Sequence, residues 1–188
     1  VSKYKIQNVS KSKLLKYKSS DTLFVLAAGQ SINNLSKENL QEISKHDSIG
    51  VNGFAYHSFV PTFHSFELEN QHNPIVLNMF KGTSSNILKL KEQYKNTAII
   101  FRQYRINDEV LEKNIKEIFE MGNSYWNVFD QVPGKNLEEY KHYLKVFEKK
   151  GLFNKDDFFP NKSSSLSWVI SFAYQLKYKK VIFCGVDL

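Results

Sequence analysis

The chain has 188 residues, 41% of them hydrophobic and 14% aromatic, which suits one well-buried α/β domain, is short for two and excludes a disordered chain. No apolar run reaches the roughly 18 residues of a membrane-spanning helix. The lysine-rich N-terminus lacks the apolar stretch of a secretory signal, and the single cysteine, Cys184, excludes an internal disulfide and a Cys-rich metal site. The 26 Lys and Arg outnumber 19 Asp and Glu, giving +7. That field favours nucleotides, nucleic acid or an anionic membrane surface, unless it only reflects lysine spread along the whole chain.

Residues 1–20 read as a basic lead-in with a helical turn or two around KSKLLKYK, and residues 21–188 as one domain. TLFVLAAG (22–29) is a short apolar run closed by glycine, the pattern of a buried strand. A helix follows, with Ser36 as its N-cap and Glu38 and Glu42 towards its start. HDSIGVN (46–52) returns to strand, FAYHSF is a short connection, and PTFHSFEL (61–68) is a third strand with Pro61 at its first position. PIVLNM (74–79) reads as a fourth strand, and GTSSNILKLKEQYKN (82–96) as a helix capped by Ser84 or Ser85.

TAIIFRQY (97–104) is a fifth strand. Residues 107–122 form a helix capped by Asn107 or Asp108, with Val110, Leu111, Ile115, Ile118 and Phe119 on its apolar face and Gly122 past its end. SYWNVF is a short strand. NLEEYKHYLKVFEKKG (136–151) is an amphipathic helix, FNKDDFFPNK (153–162) a loop, and residues 163–178 a helix with Leu166, Val169, Ile170, Ala173 and Leu176 as its stripe. KVIFCGVDL is the final strand, with Cys184 buried in it. The alternation of strand and helix predicts a Rossmann-like three-layer α/β sandwich with a mostly parallel central sheet. The chain opens at Val1 and stops just after an apolar strand, so it reads as a piece of a longer protein.

In such folds ligands collect outside the carboxyl ends of the strands. Ala28-Gly29-Gln30-Ser31 follows the first strand, Asn52 the second, Glu67 the third, and Gly185 and Asp187 the last, while Ser163-Ser164-Ser165 opens a helix. A glycine in the first turn lets the chain bend and a phosphate approach, and free N–H groups at a helix start bind anions. The same residues also make a tight turn with no ligand. The three serines read as helix caps, as ligand contacts, or as both. Asn52 offers a donor and an acceptor to a base or a sugar, and equally tolerates a left-handed turn.

His64, Glu67, Glu69 and His72 form HxxExExxH. Strand alternation places His64 and Glu67 on opposite faces, which argues against a metal there. His57 and His64 are the only histidines near the expected cleft. Trp126 and Trp168 read as core. No nucleophile–base pair stands out, so no catalytic residue is named.

Two segments carry a resemblance. FVLAAGQSINNLSKENLQEISKHDSIGVNGFAYHSFVPTFHSFELE (24–69) resembles the opening of bacterial sialyltransferases of glycosyltransferase family 42. It is also similar to domains grouped with motility accessory factors and an archaeal hydroxymethylpterin diphosphokinase. Those chains open with strand–(A/G)xGPSL–helix, then a strand ending in an Asn-containing turn. SSSLSWVISFAYQLKYKKVIFCGVDL (163–188) is similar to their small-residue helix and the Gly-x-Asp strand end. Residues 75–160 carry no such likeness.

The resemblance implies a transferase using a CMP-activated, sialic-acid-like donor without metal or other cofactor. Its acceptor is a cell-envelope glycan or lipid-linked oligosaccharide. The implied location is cytoplasmic, with peripheral membrane contact, and the chain is a candidate homo-oligomer. Carried over, Gly29, Gln30 and Ser31 line phosphate and ribose, Asn52 touches the nucleotide, and Ser164 and Ser165 meet the donor. Glu67 lies beside the sugar, and Gly185 and Asp187 border the cytidine.

The general-base histidine falls beyond Leu188. Ala28 stands where the sialyltransferase turn has Asn, Gln30 where the pattern has Pro, and Leu166 where its Gly falls. Two other readings stay open. One is a Mg²⁺/ATP-dependent pyrophosphokinase using Glu67, Glu69 and Asp187. The other is a nucleic-acid-binding module with no catalysis.

Overall fold

The computed structural model describes residues 7–68, 71–102, 106, 108–127, 130–162 and 164–187. Seven parallel strands form the central sheet: β1 (Gln7–Asn8), β2 (Thr22–Leu26), β3 (Asp47–Val51), β4 (Phe63–Glu67), β5 (Ala98–Arg102), β6 (Ser124–Asn127) and β9 (Lys180–Cys184). Their spatial order is β1-β6-β5-β4-β3-β2-β9. β7 (Asp130–Gln131) and β8 (Pro160–Asn161) make a separate parallel pair. The helices are α1 (Lys11–Leu15), α2 (Lys37–Ile43), α3 (Pro74–Lys89), α4 (Glu109–Glu120), α5 (Leu137–Lys149) and α6 (Ser165–Gln175). The chain is thus an α/β, Rossmann-like three-layer sandwich.

Strand alternation splits the core in two. Leu23, Val25, Ile49, Phe63, Ile100 and Tyr125 face α6, against Trp168, Val169, Phe172 and Ala173. Phe66, Ile99 and Phe101 face α3 and α4, against Phe80, Ile87, Leu111, Ile115 and Ile118. Leu26 packs with Ile32, Ile43 and Phe54 beneath α2. Because both faces are covered, the strands are apolar on both sides, as buried parallel strands must be.

Several local signals work as read. Ser36 caps α2, its hydroxyl accepting from Asn39 N–H while the Asn39 side chain accepts from Ser36 N–H. Asp108 caps α4 through the same kind of contact, and so does Asn136 at the start of α5, a cap not expected from the sequence. Asn107 lies outside the described residues.

The expected strand at 74–79 is instead the start of α3. Asn73 caps it by accepting from Ile75 N–H, and Pro74 sits in its first turn. Read alone, PIVLNM is β-like. Its helical phase appears only when Phe80, Thr83, Ser84 and Ile87, all buried, are included. Ser84 is therefore interior, donating to the Lys81 carbonyl, and Ser85 also lies within the helix. The helix ends at Lys89, and Gln93–Asn96 form a separate 3₁₀ turn.

The seventh strand of the sheet comes from the basic lead-in: Gln7 and Asn8 pair with Tyr125 and Trp126. Pro61 lies two residues before β4 rather than at its first position.

Two helical faces each lose one expected member. Ile170 is 55% exposed, and Trp168 and Phe172 take its place against the sheet. Val110 is also 55% exposed, while Leu111, Ile115 and Ile118 are buried. Trp126 is half-buried against Phe101 and Phe119. Cys184 is half-buried rather than fully so, because β9 is the sheet's edge strand among the described residues. Partial burial still raises its thiol pKa.

Candidate functional site

The sheet order runs from β2 through β3, β4, β5 and β6, and β9 returns to the other side of β2. The carboxyl ends of β2 and β9 therefore meet where the strand order reverses, the usual ligand crevice of such a sheet. Ala27 N–H donates to the Cys184 carbonyl and Gly29 N–H to the Gly185 carbonyl, both at 2.9 Å. A Cβ on Gly29 would sit 2.7 Å from the Asp187 carboxyl carbon and run into the Gly185 carbonyl, so only glycine fits. Gly185 has φ +70, the left-handed region that glycine adopts without strain.

The first turn holds an anion of its own. Ser31 N–H donates to Asp187 Oδ2 at 2.9 Å and the Ser31 hydroxyl donates to Asp187 Oδ1. These donors hold the Asp187 carboxyl below the usual carboxylate range. The N–H expected to be free for a phosphate is thus committed to a carboxylate. Ala28, Gln30 and Ser31 are nonetheless exposed beside it.

A second cluster lies over the carboxyl ends of β3, β4 and β5. Asn52 sits just past β3 with φ +49. Its Oδ1 accepts from Glu67 N–H at 2.9 Å and its Nδ2 donates to Ser165 Oγ at 3.2 Å. Asn52 is therefore both a left-handed turn residue and a polar bridge. Ser165 Oγ also accepts from an Arg102 terminal nitrogen at 2.8 Å and donates to Glu67 Oε2. One donated and two accepted bonds exhaust a serine hydroxyl, so Ser165 is held as a structural link and is no free nucleophile.

Ser164 does the ordinary work of an N-cap. Its hydroxyl accepts from Ser167 N–H at 3.1 Å, and the Ser167 hydroxyl returns the contact to the cap. Ser163 and Glu69 lie outside the described residues.

Sequence reasoning missed Arg102. Its side chain has no exposed surface, it pairs with Glu67 Oε2 at 2.5 Å, and its guanidinium lies 4.9 Å from the Trp168 ring centre. Trp168 Nε1–H donates to Asn127 Oδ1 at 2.8 Å, extending the network to β6. The available signal was a charge closing an apolar strand, AIIFR, since a buried arginine needs a carboxylate partner.

His64 and Glu67 do fall on opposite faces. His64 is fully buried on the α3/α4 side, stacked on Phe66. The Asn52 carbonyl can only accept, so His64 Nε2 carries the proton (3.0 Å) and Nδ1 accepts from the Tyr94 hydroxyl (3.3 Å). Burial lowers its pKa to about 4. It is a neutral core histidine. His57 stacks on Phe54 with 5.2 Å between ring centres.

Among the described residues no three His, Cys, Asp or Glu side chains group so as to hold a metal, and no helix is long and apolar enough to cross a membrane. No family model matches the chain, and no curated protein matches it.

Proposed function

We propose that the chain is a glycosyltransferase domain of the sialyltransferase-like kind, taking a CMP-activated sugar. One observation carries the reading. Gly29, Ser31, Asn52, Glu67, Ser165, Gly185 and Asp187, scattered from residue 29 to 187, converge on the carboxyl ends of adjacent strands β9, β2, β3 and β4 and the start of α6. That is the ligand edge of an α/β sheet.

In this reading the nucleotide lies over the exposed first turn and the sugar extends towards Glu67. An acceptor hydroxyl attacks the donor anomeric carbon. The bond from that carbon to the phosphate oxygen breaks, CMP leaves with the electron pair, and a base takes the hydroxyl proton. By the resemblance that base is a histidine downstream of the Gly-x-Asp strand end. The acceptor is a cell-envelope glycan or lipid-linked oligosaccharide, reached from the cytoplasmic side of the membrane.

The pyrophosphokinase reading is less well supported, because two of its three carboxylates are engaged: Glu67 by Arg102 and Asp187 by Ser31. The test is the thermal midpoint of the chain with CMP, CDP, UDP, GDP and ATP, each with Mg²⁺ and with EDTA. A ligand of the native state raises the midpoint through mass action. A rise with CMP or CDP that survives EDTA is expected. A rise only with ATP and Mg²⁺ moves the assignment to the kinase. A rise with none of them, together with salt-sensitive binding to single-stranded nucleic acid, leaves a binding module.

A further inference from the structure

We propose that a cavity at the β1/β6 end of the sheet is a saccharide-binding pocket, and that in the glycosyltransferase reading, on which this second step rests, it holds the acceptor sugar. The cavity measures about 280 Å³ and is lined by Asn8, Val9, Trp126, Asn127, Lys155, Asp157 and Phe158. That volume is just under the range of ligand pockets, about 300 to 1,000 Å³, and suits a single sugar ring.

Its walls are fixed by long-range contacts. Asn8 pairs with Trp126, and Val9 N–H donates to the Trp126 carbonyl at 2.8 Å. Next to this pairing in sequence, Lys11 N–H donates to the Asp156 carbonyl at 2.7 Å, and Ser12 donates through its N–H and its hydroxyl to the Asp156 carboxylate. Phe158 is anchored edge-on against Phe147 and Phe153. The lead-in, β6 and the 155–158 loop therefore form one frame, and a ligand meets little cost of ordering it.

Asn127 points to a ligand. It is 1% exposed, and Trp168 Nε1–H donates to its Oδ1, which fixes the orientation of the amide. Its Nδ2 then carries two donors that make no hydrogen bond among the described residues. This Nδ2 is not among the fully enclosed unpartnered atoms, so at the cavity it is open to a ligand or water that accepts from it. Lys155 and Asp157 at the same cavity also make no ion pair or side-chain hydrogen bond among the described residues.

Equal and opposite charges leave the pocket without net charge, which argues against a bare phosphate. A fixed amide donor, one acceptor, one ammonium and the Phe158 ring suit the hydroxyls and C–H faces of a sugar. The position also fits. Adjacent strands lie about 4.8 Å apart, so Asn127 on β6 is about 10 Å from Glu67 on β4. The Glu67–Arg102–Trp168–Asn127 chain of contacts joins the two sites.

The experiment titrates the full chain with methyl glycosides of glucose, galactose, mannose and N-acetylglucosamine, followed by tryptophan fluorescence and thermal midpoint, with CMP in a parallel arm. At least one glycoside is expected to give a saturable fluorescence change. Phe158→Leu, which keeps an apolar side chain, should weaken binding about fivefold, with Trp168, hydrogen-bonded to Asn127, as the reporter. Asp157→Ala should weaken binding about five- to tenfold, the effect of one hydrogen bond. The proposal is overturned if no glycoside binds, or if one binds with signal and affinity unchanged in both variants. CMP binding without glycoside binding overturns the pocket and leaves the transferase reading. Glycoside binding with no nucleotide binding does the reverse.

Discussion

The Asp187 carboxylate sits on the first turn of the sheet, accepting from both the backbone N–H and the hydroxyl of Ser31 across 156 residues of sequence. The contact ties the last loop to the first at the point where the strand order reverses. It also supplies from within the chain the negative charge that a helix start otherwise takes from a ligand.

Replacing Asp187 by Asn should lower the thermal midpoint at neutral pH. The Asp187 carboxyl is depressed below its ordinary value of 3.8 by Ser31. A depressed carboxyl stabilises the fold above the unfolded pKa and loses that effect as pH falls through the folded pKa. The gap between wild type and Asp187→Asn should therefore close on acidification below pH 3.8. Paired melting curves at several pH values read it directly.

Arg102 and Glu67 form the buried ion pair of the polar cluster. Arg102→Ala strands the Glu67 carboxylate and should cost about 3–5 kcal/mol in urea unfolding. Glu67→Gln keeps a hydrogen-bonding oxygen and should cost less. In the double variant the costs should fall well short of additive, because each single change already breaks the same contact. Additive costs would show that the pair contributes nothing as a pair.

His64 predicts the acid limb of stability. Its pKa falls from 6.5 to about 4 on folding. Between those values the unfolded chain binds a proton that the native chain refuses, so stability drops as pH falls through that window. Full expression amounts to about 3 kcal/mol. His64→Gln can still donate to the Asn52 carbonyl and does not titrate. Its stability should be flatter from pH 6.5 to 4 than that of wild type.

Asn52 combines strain and bonding. At φ +49 a residue with a Cβ pays about 1 kcal/mol that glycine does not. Asn52→Gly and Asn52→Ala both lose the contacts to Ser165 and Glu67. Alanine should be the less stable of the two by about 1 kcal/mol in denaturant titration. Equal stabilities would mean that the backbone relaxes out of the left-handed region.

Much of the fold was legible because its signals are short in range. Ser36 and Asp108 cap helices through contacts to residues three positions on, and short apolar runs mark β2, β3 and β5. The misread segment, PIVLNM, fails for the same reason: its six residues are β-like, and the helical repeat that overrules them lies downstream. The Ile170 error is one of phase. Ile170 and Trp168 both stand at helical spacing from buried members of the stripe, and only docking against the sheet selects Trp168 and Phe172 over Ile170.

The sequence by itself determined the alternation of strand and helix, the caps, and the carboxyl edge of the sheet at which Gly29, Asn52, Glu67 and Asp187 lie. The tertiary structure decided which of them touch. Ser31 with Asp187, Arg102 with Glu67 and Ser165, and Gln7–Asn8 against β6 join residues 35 to 156 positions apart. Such contacts follow from strand order and from the need of each buried charge and amide for a partner. No local pattern encodes either, because both are properties of what the folded chain brings alongside.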